Sequence, residues 1–261
     1  GEVIAGEVLF KGQNLRDLSE EQMRQLRGNR IAMIFQDPLM TLNPVLRIEE
    51  QMLEAIQTHA SVPRAQALKR CCEALEMVGI PSPEARLRSY PHEFSGGMRQ
   101  RVAIAIAMLN QPELIICDEP TTALDVTIQG QILFRMQEIC RTHGTALVWI
   151  THDLGVIAEL ADQVAVMYAG RIVESGPVSE VLDAPAHPYT RGLPSAIQPG
   201  QRLRQITGMA PSLSNRPSGC AFQPRCTRAL AQCATTEPEL TTVNQRTYRC
   251  FAPLVALSTS T

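Results

Sequence analysis

The chain has 261 residues, a formal net charge of -2 and only 4% aromatic side chains. A near-neutral charge and few stacking rings exclude a nucleic-acid coat. The longest apolar run, residues 102–109, falls well short of the ~20 residues that a membrane-spanning helix needs, so any membrane role has to come from docking on another subunit.

The first residues, Gly1-Glu2-Val3-Ile4-Ala5-Gly6-Glu7-Val8-Leu9-Phe10, read as strand from the outset, with no charged-then-apolar leader. A domain seldom begins in mid-sheet, so sequence upstream of Gly1 is expected. Residues 6–35 read as a β-rich unit with one intervening helix, capped by Ser19 ahead of Glu20-Glu21-Gln22. Residues 30–35 supply a strand. Gln36-Asp37-Pro38 ends it, because Pro38 has no N–H for a ladder.

From residue 48 to 79 apolar side chains recur at helical spacing: Met52, Ala55 and Ile56, then Ala67, Leu68, Cys71, Leu75 and Val78. Pro63 separates two helices and Gly79 stops the second. Pro81 and Pro83 read as a loop. A third helix runs from Gly96 to about Asn110, where Gln111-Pro112 breaks it. These elements form a helical subdomain over about residues 45–110.

The rhythm then changes to strand, helix, strand, over residues 114–117, 127–141 and 145–150. A helix follows at 154–160, then a hairpin, 164–168 and 171–174, turning on Ala169-Gly170. Two buried strands joined through a helix indicate a parallel α/β core. Beyond Ala196 the composition turns to Pro, Gly, Arg and Gln. Residues 198–215 read as an irregular linker, and 258–261 as a frayed end. The expected division is one domain over residues 1–195 and a small cysteine module over 196–261.

The strongest chemical signal is Leu114-Ile115-Ile116-Cys117-Asp118-Glu119-Pro120. An apolar strand delivers two carboxylates to its C-terminal end, where ligands sit in open α/β sheets. One carboxylate there can hold Mg²⁺ beside phosphates, and the next can polarise an attacking water. By itself an Asp-Glu pair would more simply cap a turn. Upstream stands Phe94-Ser95-Gly96-Gly97-Met98-Arg99-Gln100-Arg101. Ser95 caps a helix whose first amides, opened by two glycines, suit an anion such as phosphate. Downstream come Ala123-Leu124-Asp125, and then His152 at the end of the next strand.

In this order the motifs resemble the nucleotide-binding subunit of an ABC transporter, over about residues 6–181. The resemblance implies a P-loop-type α/β fold binding ATP with Mg²⁺. Gln36 matches the Q-loop glutamine and Ser95-Gly96-Gly97 the signature. Asp118 matches the Walker B metal-binding aspartate, Glu119 the catalytic base, Asp125 the D-loop and His152 the switch histidine. Gln36-Asp37-Pro38 with Leu42-Asn43-Pro44, the form Phe94-Ser95-Gly96-Gly97-Met98-Arg99-Gln100-Arg101, and His187-Pro188-Tyr189-Thr190-Arg191-Gly192-Leu193 point to the oligopeptide, dipeptide and nickel importers.

That resemblance implies a head-to-tail dimer with a second ATP-binding subunit. ATP would lie between one subunit's phosphate loop and the other's signature. It also implies two transmembrane permease subunits, an extracytoplasmic solute-binding protein acting through them, and a peripheral place on the cytoplasmic face of the membrane. Nucleic acid is not an expected partner. One departure matters most. A phosphate loop has the form G-x-x-x-x-G-K-[ST], and no Gly-Lys-Ser or Gly-Lys-Thr occurs in the sequence. In the family this loop lies ahead of the part matched here. A second reading is therefore a catalytically incompetent subunit that donates its signature to an intact paralogue. A third, a soluble ABC protein of DNA repair or translation, lacks the long coiled coil or second cassette that would favour it.

Eight cysteines fall in two groups. Cys71, Cys72, Cys117 and Cys140 are scattered among apolar residues. Cys220, Cys226, Cys233 and Cys250 are spaced x5, x6 and x16, without the paired C-x₂-C of common zinc sites. A [4Fe–4S] cluster, zinc and free thiols all remain open to four such residues, and the importer resemblance favours the cluster.

Overall fold

The computed structural model describes residues 3–37, 41–121, 126–193, 206–212, 214 and 216–255. The chain divides into two compact units, one running up to Ile150 and the other from Thr151 onward.

The first unit opens on a hairpin of β1 (Leu9–Phe10) and β2 (Gln13–Asn14). Its turn residues, Lys11 and Gly12, both have positive φ, as the tightest hairpin turns require. Helix α1 (Glu20–Leu26) begins in a reciprocal cap: Gln22 N–H donates to Ser19 Oγ, and Ser19 N–H donates to Gln22 Oε1. Strand β3 (Ile31–Ile34) follows.

The helical block then comprises α2 (Ile48–Gln57), α3 (Arg64–Met77), α4 (Pro83–Leu87) and α5 (Gly96–Met108). Pro83 starts a short helix where a loop was expected. Proline at a first helical position loses no needed N–H and already has the right φ. Ile48, Met52, Ile56, Cys71, Leu75 and Ile104 are buried together in this block's core. Asn110, just past α5, donates to the carbonyls of Ala55 and Gly28 at 2.9 Å each.

Strand β4 (Leu114–Asp118), helix α6 (Val126–His143) and strand β5 (Ala146–Ile150) complete the unit. The sheet is parallel in the order β3-β4-β5, with Ile34 opposite Cys117 and Cys117 opposite Trp149. One face buries Ala32, Ile34, Ile115 and Cys117. The other presents Met33, Phe35, Val148 and Ile150, each 40–48% exposed. Parallel sheets ordinarily have both faces covered. Here one face stays open, and β5 pairs only with β4 among the described residues.

The second unit contains α7 (Leu154–Leu160), β6 (Gln163–Tyr168), β7 (Arg171–Pro177), α8 (Val178–Asp183), α9 (Pro188–Gly192), β8 (Thr241–Val243) and β9 (Arg246–Tyr248). Its antiparallel sheet has the order β6-β7-β9-β8. The expected hairpin turn at Ala169-Gly170 is present, with both residues at positive φ. The tail, expected as a module apart, contributes β9 to the edge of β7.

A buried ion pair fixes that contact. Glu174 is fully buried, and its carboxylate accepts from Arg246 at 2.8 Å and from the amides of Ala186 and His187 at 2.7 and 2.9 Å. Removing one partner of such a pair leaves a bare buried charge, a loss of about 3–5 kcal/mol. Gly176 allows the approach, since a Cβ there would stand 2.7 Å from Arg246 Cγ. Among the described residues no helix is long and apolar enough to cross a membrane.

His187 makes this region acid-sensitive. Its ring is 1% exposed, and its Nδ1 accepts from Tyr189 N–H. Burial pushes its pKa down from 6.5 to about 4, against the pull of the Glu174 charge. The unfolded chain therefore takes up a proton near 6.5 that the folded chain refuses until about 4. Stability is intact above 6.5 and falls as the pH drops towards 4, by about 3 kcal/mol when fully expressed. Urea unfolding at pH 7 and pH 4.5 checks this. His187→Asn is expected to lose less on acidification than the parent, and an equal loss assigns the effect to other groups.

Candidate functional site

The site in the first unit begins with strand register. Ile34 pairs with Cys117, so the residues just past β3 and β4 emerge side by side. Gln36 lies beyond β3 and Asp118 ends β4. Asp118 and Glu119 are half-buried and Gln36 is exposed.

Glu119 has φ +44°, the left-handed region that non-glycine residues seldom enter. Its amide is pinned by donation to the Ile150 carbonyl at 2.9 Å, so the end of β5 holds the turn. The Glu119 carboxylate Oε2 accepts from Gln36 Nε2 at 3.2 Å. Three expected site residues, Gln36, Asp118 and Glu119, thus share the C-terminal edge of one parallel sheet. Asp118 offers hard oxygen ligands of the kind Mg²⁺ takes, and Glu119 is a carboxylate beside it that could accept a proton from water.

Ser95, Gly96 and Gly97 form the start of α5. Ser95 Oγ accepts from Met98 N–H at 3.3 Å, the expected cap. Nothing stands within 4 Å of where a Gly96 Cβ would be, so backbone amides there are open to a close ligand. One helical turn further, the Gln100 side chain is buried and donates from Nε2 to the Phe35 carbonyl at 3.4 Å. Residue-by-residue reading of the signature did not single out Gln100. No sequence signal sets it apart, since Gln100 stands between Arg99 and Arg101, ahead of the apolar run that begins at Val102.

His152 belongs to the second unit, exposed, ahead of α7. The next residue, Asp153, caps that helix by accepting from Gly155 N–H at 2.9 Å. Asp125 lies outside the described residues. The His187-Pro188-Tyr189-Thr190 stretch is architectural: His187 caps α9, and Tyr189 packs on Tyr168 and Phe222. Glu174 and Arg246, the buried pair, also escaped sequence reading, because no local spacing links residues 72 apart.

The cysteines divide as their surroundings dictate. Burial pushes the Cys117 thiol far up and Cys71 up to about 12, which keeps both protonated core residues. In the tail, Cys220 N–H donates to the Cys233 carbonyl at 2.9 Å. Gly219 permits this, since a Cβ would meet the Cys233 carbonyl oxygen at 2.3 Å. Burial raises Cys250 to about 11 and also raises Cys220, and the charges of neighbouring tail thiols add to both shifts. The thiols share a neighbourhood. As arranged they are not a ligand set: among the described residues no three His, Cys, Asp or Glu side chains converge to hold a metal ion.

Comparison with known proteins follows the same lines. Residues 2–122 match the family model described as ABC transporter, and residues 173–233 that described as oligopeptide/dipeptide transporter, C-terminal region. A Sinorhizobium fredii protein named probable peptide ABC transporter ATP-binding protein y4tR is 52% identical over 245 residues, covering 92% of this chain and 73% of its own length. The oligopeptide transport ATP-binding protein OppD of Bacillus subtilis is 49% identical over 248 residues, covering 93% of this chain and 69% of its own. Among solved structures, the ATP-binding cassette MJ0796, a dimer in a post-hydrolysis state bound to ADP and Pi, superposes with TM-score 0.61 at 27% identity. That likeness covers 67% of this chain and 74% of the other.

Proposed function

The chain belongs to the ATP-binding subunits of ABC transporters, and from that membership we propose that it energises the import of peptides, with Glu119 as the base of ATP hydrolysis. Its fold is the mixed α/β fold of an ABC nucleotide-binding domain, and its class is the transport-coupled ATPase. The observation that carries the assignment of Glu119 is its place: a carboxylate after a parallel strand, backbone pinned, side chain bonded to Gln36.

In this reading ATP binds with Mg²⁺, and Asp118 is the carboxylate that would hold the metal. Mg²⁺ supplies neutralisation of phosphate charge. Glu119 orients and polarises the attacking water. Gln36 aligns Glu119, and Ser95, Gly96 and Gly97 offer their amides to the nucleotide of a partner subunit. The family resemblance gives Asp125 the role of the D-loop aspartate and His152 that of the switch histidine. The subunit pairs head to tail with a second ATP-binding subunit. It docks on two permease subunits at the cytoplasmic face, which a solute-binding protein serves from outside. Peptide as the solute rests on relatives about half identical in sequence that are named as peptide and oligopeptide transport ATP-binding proteins.

The reading needs a phosphate loop that the 261 residues do not contain. Such a loop is a strand, a glycine-rich turn and a helix. The free edge of β5 and the open apolar face at Met33, Phe35, Val148 and Ile150 suit such a unit. The chain by itself is therefore expected to titrate weakly with Mg-ATP and to turn it over negligibly. Measured turnover of about 1 s⁻¹ or faster by the purified chain overturns that expectation.

In a form carrying the loop, Glu119→Gln is expected to bind ATP and to lose hydrolysis, because the amide keeps the shape and loses the charge. Hydrolysis near the parent rate by this variant removes Glu119 from the role of base.

The tail is proposed to hold a [4Fe–4S] cluster on Cys220, Cys226, Cys233 and Cys250, with the thiols turned inward from their present arrangement. Support comes from the backbone bond of Cys220 to Cys233 at 2.9 Å and from the packing of Cys220 and Cys226 on one apolar cluster. Its role is structural or redox-sensing, apart from hydrolysis. Anaerobic purification with iron, sulfide and visible-absorption analysis tests it. About four irons per chain are expected; one zinc without iron, or no metal, overturns it.

A further inference from the structure

Gln100 sits just past the first turn of α5, with its side chain 0% exposed. Its Nε2 donates to the Phe35 carbonyl at 3.4 Å, and its Oε1 is buried without a hydrogen-bond partner. A buried amide with one polar atom unanswered is a costly way to fill a core, and an apolar side chain of the same length would fill it more cheaply. The contact it makes is therefore its distinguishing property. The accepting carbonyl belongs to the peptide plane that joins Phe35 to Gln36. That plane is rigid, so a hold on the carbonyl sets the direction in which Gln36 leaves β3. Gln36 in turn donates to Glu119 at 3.2 Å.

We propose that Gln100 is a positioning residue that passes the placement of α5, and of Ser95, Gly96 and Gly97 at its start, through Phe35 and Gln36 to the Glu119 carboxylate. The helix is a stiff rod, so a phosphate engaging its N-terminus displaces Gln100 with it. At 3.4 Å the bond to Phe35 is longer than the usual N–H···O range. Glu119 is thereby made responsive to whether the first amides of α5 are occupied. The inference rests on the reading of Glu119 as base and extends it to a residue that touches neither nucleotide nor water.

The test is steady-state ATP hydrolysis by the full-length subunit carrying a phosphate loop, with thermal unfolding measured in parallel. Gln100→Met keeps the length and removes both polar atoms. It is expected to lower kcat about tenfold with KM for ATP within about twofold, while the unfolding temperature holds or rises. Gln100→Glu keeps the shape and turns the donor into an acceptor facing a carbonyl, so it is expected to slow turnover as well should the Met variant fold poorly. Combined with Gln36→Ala, Gln100→Met is expected to add no further loss, because it acts through Gln36. Parent-like kcat in both Gln100 variants overturns the proposal. So do losses that multiply in the double variant, and a fall in kcat matched by a fall in unfolding temperature. Hydrolysis by the parent and none by Glu119→Gln in the same assay keeps the underlying reading intact when Gln100 fails. A parent that does not hydrolyse overturns both.

Discussion

The parallel register of β3, β4 and β5 is the constraint on which the candidate site depends. Ile34, Cys117 and Trp149 lie in one row across the sheet. Because side chains alternate, this row turns its side chains to the helices, and the next residues turn theirs to the open face. A slip of one residue in β4 would turn Cys117 out and carry Glu119 away from Gln36. The helices enforce the register by burying Ala32, Ile34, Ile115 and Cys117 on one face only. Burying a site's neighbours is how an apolar core specifies where two polar groups meet.

In the second unit a charge does what the apolar row does in the first. Glu174 is surrounded by three donors from two places in the chain: the consecutive amides of Ala186 and His187, and the guanidinium of Arg246. An unpaired buried carboxylate is expensive, so each donor must arrive for the unit to fold. The consequence is that the tail is part of the sheet. The thiols of Cys220, Cys226, Cys233 and Cys250 are carried on segments anchored through β8 and β9 and through the packing of Phe222 on Tyr168 and Tyr189.

Much of this was legible from sequence because it is local. Ser19 and Ser95 cap the helices they precede, Ala169-Gly170 turns a hairpin, and Leu114-Ile115-Ile116-Cys117 is a buried strand ending in two carboxylates. The α/β nucleotide-binding fold was legible from the order of such pieces. What was missed is non-local or ambivalent. Pro83 can end a loop or begin a helix, and only the packing of Leu87 decides for the helix. The pairing of Thr247 and Tyr248 with β7 joins residues 72 and 74 apart. Gln36 was recognised by motif, but its bond to Glu119 comes from a register between strands 83 residues apart.

These differences explain how the site can be both fixed and adjustable. Glu119 occupies a left-handed backbone conformation that costs about 1–2 kcal/mol per residue for an L-amino acid. Such a conformation persists only where surrounding structure overdetermines it. The bond from its amide to Ile150 and the buried Pro120 after it supply that determination. The backbone of Glu119 is accordingly the fixed part. Its carboxylate is the adjustable part, half-buried and bonded at 3.2 Å to an exposed glutamine, and the carbonyl of Phe35 just before that glutamine accepts from Gln100 at 3.4 Å. A carboxylate held rigidly at every atom would fit a single arrangement of the site. A pinned backbone carrying a side chain steered by two glutamines can be aligned in one state and released in another, at the cost of two long hydrogen bonds rather than a refolded strand.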